Sequence, residues 1–278
     1  MPKPRVWFIT GTSSGFGRNL AEEALKRGDY VVATARKPET VKDLEKQYPK
    51  QALAVRLDVT KKPTIAAAVQ KAIVKFKRID VLVNNAGYGL FGALEDVQDK
   101  EVRRIYDTNV FGLLNVTQAV LPQMRKQKSG HVLNISSVVG QVSFAAIGIY
   151  SSTKHAVEGL SEALSHEVKN FGIKGTIIEP GYFQTDFGSR GLVSTKPSKP
   201  YRAISKAMDD RFKSFANGPH GDPRKAALAM IQAVESAETP HRLALGEDSV
   251  NMIRGTLAAK GADVAKWEEI SLSTAAVR

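Results

Sequence analysis

The sequence predicts an α/β protein built on a doubly wound parallel sheet with helices on both faces. Three observations carry this. Apolar, β-branched runs of strand length alternate with stretches of helical spacing along most of the chain. The apolar content of 42% in 278 residues is enough to bury a large core. No repeat and no low-complexity linker divides the chain, so one domain spanning residues 1–278 is expected.

The elements follow in order. Residues 6–10 form an apolar run that leads into Gly11, and residues 18–27 have helical spacing. Residues 30–35 and 52–57 are strand-like, and 62–76 are helical. Residues 79–83 form a strand followed by Asn84-Asn85-Ala86-Gly87. A long helix is predicted over 100–127, with Pro122 late in it. Residues 131–136 form a strand, 150–171 a helix, and 173–178 a strand stopped by Pro180-Gly181. Residues 182–222 break the rhythm. They are punctuated by Gly188, Gly191, Pro197 and Pro200, then carry a charged helical piece over 204–215. Such an insertion after a strand reads as a lid or binding loop. From about His241 the tail offers a short strand over 243–245 and a helical end.

Composition removes several classes. There are no cysteines, which excludes disulfides, thiol nucleophiles and cysteine-ligated metals. No apolar run is long enough to span a bilayer. Residues 1–5 lack the apolar stretch and cleavage site of a secretory signal, so a cytoplasmic location is expected. The five histidines show no metal spacing, and no metal is expected. The net charge is +12, much of it in Lys42, Lys46, Lys50, Lys61, Lys62, Lys71, Lys75, Lys77 and Arg78. These cations are interleaved with acids and read as a solvated face. A basic binder of nucleic acid or membrane is an outlying reading, because no arginine-rich arm, zinc-finger spacing or aromatic-basic motif accompanies the charge.

The first strand leads into Thr10-Gly11-Thr12-Ser13-Ser14-Gly15-Phe16-Gly17, where a helix is expected to begin. Glycines let the backbone approach a pyrophosphate closely, and amides at a helix N-terminus face the anion. A glycine triplet alone can be a tight turn. Its place between a first strand and a first helix points to a Rossmann-like dinucleotide site. The second strand ends Thr34-Ala35-Arg36-Lys37, with no carboxylate to hold a ribose hydroxyl. Arg36 can fork two hydrogen bonds to a 2′-phosphate, and Ser13 adds a donor. This predicts NADP(H) over NAD(H); the bland alternative makes Arg36 a surface cation.

Tyr150 and Lys154 stand four residues apart, on one face of a helix. A free phenol has a pKa of roughly 10, and a nearby cation favours the phenolate. The pair is therefore expected to lower the tyrosine value and make it an acid for carbonyl reduction and a base for alcohol oxidation. Ser137, just past the 131–136 strand, is placed to bind the substrate oxygen. Asn109 lies inside the long helical stretch, which asparagine disfavours. It is expected to bend the helix and hold a relay water.

Together these residues resemble the short-chain dehydrogenase/reductase family, over roughly residues 5–185. The matching elements are Thr10-Gly11-x3-Gly15-x-Gly17, Asp58, Asn84-Asn85-Ala86-Gly87, Asn109, Ser137, Tyr150-x3-Lys154, and Pro180-Gly181 with Thr185. The resemblance implies a catalytic tetrad of Asn109, Ser137, Tyr150 and Lys154. It implies that Gly11, Ser13, Ser14, Gly15, Phe16 and Gly17 hold the dinucleotide, with Asp58 and Val59 at the adenine and Asn85, Ala86 and Gly87 along the adenosine side. Lys154 would also grip the nicotinamide ribose, and Pro180, Gly181, Phe183 and Thr185 would surround the carboxamide. It also implies a homodimer or homotetramer paired through helices around 100–126 and 150–170. The expected activity is hydride transfer between NADP(H) and a carbonyl or secondary alcohol. A non-catalytic dinucleotide sensor on the same fold is the competing reading.

Phe183, Phe187, Tyr201, Phe212 and Phe215 either cover an apolar substrate or form the core of the lid itself. Trp7 is core. Trp267 packs the C-terminal helix or a subunit contact. Substrate choice is placed after Gly188.

Overall fold

The computed structural model describes residues 3–185, 187, 191–217 and 220–276, without the side chains of 215–217. Gly188, part of the 182–222 segment and the Phe215 ring therefore lie outside the described residues. The chain runs through β1 (Val6–Ile9), α1 (Gly15–Lys26), β2 (Tyr30–Ala35), α2 (Lys42–Gln47), β3 (Ala52–Arg56), α3 (Lys62–Phe76), β4 (Val81–Asn84) and β5 (Gly89–Phe91). It continues through α4 (Asp99–Tyr106), a π-helical turn (Asp107–Gly112), α5 (Leu113–Gln127), β6 (Gly130–Ile135), α6 (Gly148–Val168), β7 (Ile173–Pro180) and β8 (Leu192–Ser194). Then come α7 (Arg202–Asn217), α8 (Pro223–Glu235), β9 (Arg242–Leu245), α9 (Glu247–Lys266) and α10 (Glu268–Leu272).

Seven strands form one sheet in the order β3-β2-β1-β4-β6-β7-β9, and every pair is parallel. Both faces are buried, as the apolar runs require. Trp7 and Ile9 of β1 pack on one side against Leu20, Ala24, Met230 and Ile231 of α1 and α8. Val6 and Phe8 pack on the other against Ile65, Val116 and Val120 of α3 and α5. Trp7 is core, as expected, and its indole N–H donates to Asp29 at 2.8 Å.

The helix predicted over 100–127 is two helices joined by the π-helical turn. The wider turn carries Asn109 inward, where its side chain brackets the backbone of Tyr88: Nδ2 donates to the carbonyl at 2.9 Å and Oδ1 accepts from the amide at 3.1 Å. That pairing outweighs continuous α-helical bonding. α1 opens at Gly15, so Gly15 and Gly17 lie in the helix rather than before it. The strand expected over 79–83 shifts to Val81–Asn84, because the Ile79 amide donates to Gln127 Oε1 instead. The short pair β5 and β8 and the helices α2 and α8 went unpredicted. Three-residue strands show no period, and α2 buries little beyond Leu44. The start of α8 was legible: Asp222 caps it by accepting from the Arg224 amide at 2.8 Å, and Pro223 follows.

His131 on β6 is buried, with Nε2 2.9 Å from Thr176 Oγ1. Burial, helped by Lys174 and Arg5, pushes its pKa down from 6.5 to about 4. The unfolded chain therefore takes up the proton first. This stability term is complete above about pH 6.5 and is lost as pH falls toward 4, by about 3 kcal/mol. In thermal melts between pH 7.5 and 4.5, His131→Gln should flatten the acid-side decline. An unchanged slope would show that His131 does not cause it.

Candidate active site

A cavity of about 1130 Å³ lies over the carboxyl ends of the strands. Its first wall is the glycine loop. Thr10 Oγ1 accepts from the Asn85 and Ala86 amides at 2.9 and 3.0 Å, and Asn85 Nδ2 donates to the carbonyls of Thr10 and Gly11, both at 2.9 Å. These bonds draw the loop after β1 onto the end of β4. Gly11 has φ +68°, and a Cβ there would lie 3.0 Å from Ala86 Cα. A Cβ on Gly17 would meet Asn85 Nδ2 at 2.5 Å and the Gly11 carbonyl at 2.6 Å. Gly17 does not line the cavity; its role is this close packing. Gly15 has φ +58°, and a Cβ there would touch Thr185 at an ordinary 3.7 Å.

Gly11, Ser13, Ser14, Gly15, Phe16, Arg36, Asp58, Val59, Asn85, Ala86 and Gly87 all line the cavity, at the ends of β1 to β4. Asp58 accepts from the Thr60 amide at 3.0 Å and hydroxyl at 2.8 Å. Burial opposes its ionisation, but those bonds and the charges of Arg36 and Lys61 hold it below the ordinary carboxylate value. Thr40, not singled out in the sequence, and Lys61, read there only as part of a solvated face, join this wall.

Ser137, Tyr150, Lys154, Pro180, Gly181, Phe183 and Thr185 line the same cavity from β6, α6 and β7. Ser137 Oγ accepts from the Val139 amide at 3.3 Å and donates to the Pro180 carbonyl at 3.4 Å. Lys154 Nζ donates to the Ile135 carbonyl at 2.8 Å and sits 5.8 Å from the Tyr150 ring centre. Burial pushes Tyr150 up to about 12, with the Ser137 hydroxyl pulling the other way. This reverses the expected lowering by Lys154, because the desolvation of a buried phenolate dominates. Burial likewise lowers Lys154 to about 8, against the pull of Glu158.

Asn109 does not line the cavity. Beyond Tyr88, its amide donates to Thr153 Oγ1 at 3.2 Å. It lies behind Gly87, where an added Cβ would stand 3.1 Å from Asn109 Oδ1 and 3.9 Å from Lys154 Nζ. The geometry gives it a bracing contact to the backbone beside Lys154.

The far end of the cavity is apolar: Phe91, Phe144, Ile147, Phe187, Met208 and Phe212 line it. Phe91 and Phe212 meet edge to face at 4.5 Å, and Arg211 lies 4.0 Å over Phe144. Phe187 and Phe212 thus face the cavity, and so does Phe183, which packs on Phe16 at 5.0 Å. Tyr201 does not; its hydroxyl bonds Glu95 at 2.5 Å. Asp248, brought from α9, accepts from the Tyr182 amide at 2.7 Å. Its carboxylate fills the space a Cβ on Gly181 would need. Nothing local in the sequence pointed to Asp248 or Met208.

The family model "short chain dehydrogenase" matches residues 5–191. An oxidoreductase of Botryotinia fuckeliana, BOA17, is 38% identical over 98% of this chain and 99% of its own. A 3-ketodihydrosphingosine reductase of Bacteroides thetaiotaomicron is 38% identical over 88% of each chain. The crystal structure of a short-chain dehydrogenase from Streptomyces avermitilis superposes with a TM-score of 0.92, at 42% identity, covering 99% of this chain and 100% of that one. The chain belongs to the short-chain dehydrogenase/reductase family. It is a nucleotide-binding oxidoreductase that works by hydride transfer. No helix among the described residues is long and apolar enough to cross a membrane.

Gly17→Ala should cost about 1–3 kcal/mol, because backbone and Asn85 must move to admit the methyl group. It should also weaken dinucleotide binding. A melt and a cofactor titration both at wild-type values would remove Gly17 from this role.

Proposed function

We propose that the chain is an NADP(H)-dependent reductase of ketones carried on apolar substrates. The observation behind this is one cavity with two unlike ends. Arg36, Ser13, Thr40 and Lys61 bound one end, and an aromatic chamber forms the other. Ser137, Tyr150 and Lys154 lie on its wall.

The residues fit a phosphorylated dinucleotide. The start of α1 lines the cavity at Gly15, the first turn of α1 carries no acid, and β2 ends without a carboxylate. Ser13 and Arg36 would hold the 2′-phosphate. Asp58 and Val59 would take the adenine, and Thr185, Phe183 and Pro180 would border the nicotinamide. When bound, the reduced nicotinamide supplies a hydride to the carbonyl carbon. The substrate oxygen accepts hydrogen bonds from the Ser137 and Tyr150 hydroxyls, and Tyr150 gives it a proton. Lys154, still largely charged at pH 7, favours the phenolate left behind and fixes the geometry through the Ile135 carbonyl. Asn109 keeps Tyr88 and Thr153 in place beside it. The aromatic chamber, together with the ketone-reducing relative, supports an apolar substrate body.

Three outcomes test this. Tyr150→Phe should lower kcat about 10³-fold while cofactor affinity holds; near-normal turnover would sink the assignment. Arg36→Ala should weaken NADPH about 10- to 100-fold and leave NADH nearly unchanged, as loss of a charge-assisted fork predicts. Equal losses for both would count against the phosphate role. Because burial holds Tyr150 protonated, alcohol oxidation, which needs the phenolate, should accelerate as pH rises above neutrality. Reduction should be fast already at pH 7. An oxidation rate flat from pH 7 to 10 would contradict a phenolic base.

A further inference from the structure

Much of the +12 charge is concentrated. Residues 36–77 hold eleven lysines and arginines against four carboxylates. Several cations elsewhere meet acids: Glu235 takes Arg5 and Arg27, Glu23 takes Lys26 and Arg224, and Glu162 takes Arg242. Between 36 and 77 that pairing is missing. Lys75 donates to the Ala52 carbonyl at 2.6 Å. The other ten cations form no side-chain hydrogen bond or ion pair among the described residues. Asp43, an acid interleaved with them, is taken up by Arg18 of α1.

Six of the ten share one edge. Arg36 and Lys37 follow β2, Lys42 opens α2, Arg56 ends β3, Lys61 precedes α3 and Lys62 opens it. All six are exposed. This is the edge where the strands deliver the cavity, and Arg36 and Lys61 are part of its wall. Asp58 offsets part of the charge of Arg36 and Lys61, but none of the six cations is ion-paired among the described residues, and like charges held together raise the energy of the folded chain. A solvated face has no need to gather them at one mouth. Gathered there, they create a positive potential over an opening with low-dielectric walls, the arrangement that focuses anions and raises association rates by roughly 10- to 10³-fold.

We infer that this rim is an electrostatic funnel that draws the phosphorylated dinucleotide, adenosine end first, into the cavity. The inference rests on the proposed phosphate role of Arg36 and divides the selectivity in two. Arg36 contacts the phosphate and sets how slowly it leaves. The rim, including Lys42 and Lys62, which lie outside the cavity wall, sets how fast it arrives. NADPH carries one more phosphate than NADH and gains more from the field.

The test is stopped-flow association of NADPH and NADH with the full chain, followed by the fluorescence of the reduced dinucleotide. It is run at about 20 mM and about 300 mM salt, where the screening length falls from well above to below about 10 Å. Lys42→Glu with Lys62→Glu should slow NADPH association about tenfold at low salt and flatten its salt dependence, with dissociation and saturated turnover unchanged. The neutral pair, Lys42→Gln with Lys62→Gln, should give an intermediate slowing and guards against a misfolded charge variant. Lys50→Glu with Lys71→Glu removes the same charge farther from the mouth; Lys71 lies about 14 Å along α3 from Lys62. It should slow association by no more than about twofold. Wild-type association in the first pair, or equal slowing in the distant pair, overturns the funnel. Failure of the underlying reading looks different: wild-type equilibrium titration would then show no preference for NADPH over NADH.

Discussion

The site depends on one topological constraint. β1 lies between β2 and β4, so the chain leaves its carboxyl end through α1 to one side and returns, by way of β3 and α3, to the other. The two connections diverge, and a crevice opens where they part. Because all seven strands are parallel, their carboxyl ends share that edge. Residues far apart in sequence arrive there together: Arg36 after β2, Asp58 after β3, Asn85 after β4, Ser137 after β6 and Pro180 at the end of β7. Thr10 and Asn85 hold the crevice to its width by tying the loop after β1 to the end of β4.

Beneath the crevice lies a buried polar layer that positions the reactive groups. Gln141, at the end of the turn that begins with Ser137, donates to Glu179 at 2.7 Å and Glu158 at 3.2 Å. Arg242 of β9 donates to Glu158 at 3.3 Å. Burial, and then the charge of Glu158, push Glu179 up to about 7. The node joins the Ser137 turn, the helix of Tyr150 and Lys154, and the strand ending at Pro180. Such buried groups contribute little net stability, and their geometry is fixed by mutual satisfaction. Asn84 performs a similar task one strand over, donating to Thr117 Oγ1 and Asn134 Oδ1, both at 2.8 Å.

Burial also separates the two ends of the cavity chemically. At the end bounded by Arg36 and Lys61 the cations stay exposed and form no ion pair among the described residues, and their field reaches into solvent. Deeper in the cavity Tyr150 and Lys154 are enclosed, so each resists its charged form. A neutral phenol is the state that carbonyl reduction needs.

How much of this was legible in the sequence varies by residue. The sheet, most of its helices and the family motifs were readable, because strand and helix periods are local and the glycine loop, Ser137 and Tyr150-x3-Lys154 have fixed spacings. Of the expected site residues, all but Gly17 and Asn109 line the cavity. Those two act through packing and backbone bonds, which spacing does not reveal. The rise of the Tyr150 value was hidden for the same reason: desolvation depends on what covers a side chain, and Phe187 and α7 come from later in the chain. Asp248 and Met208 reach the cavity only because β9 joins β7 and α7 crosses above it. The sequence by itself determined the fold and the family motifs, the glycine loop and Tyr150-x3-Lys154 among them, all set by short-range pattern. Tertiary structure alone decided which charges stay unpaired, how deeply the tyrosine is buried and which side chains shape the chamber, because burial and pairing are properties of neighbours that the chain brings together only on folding.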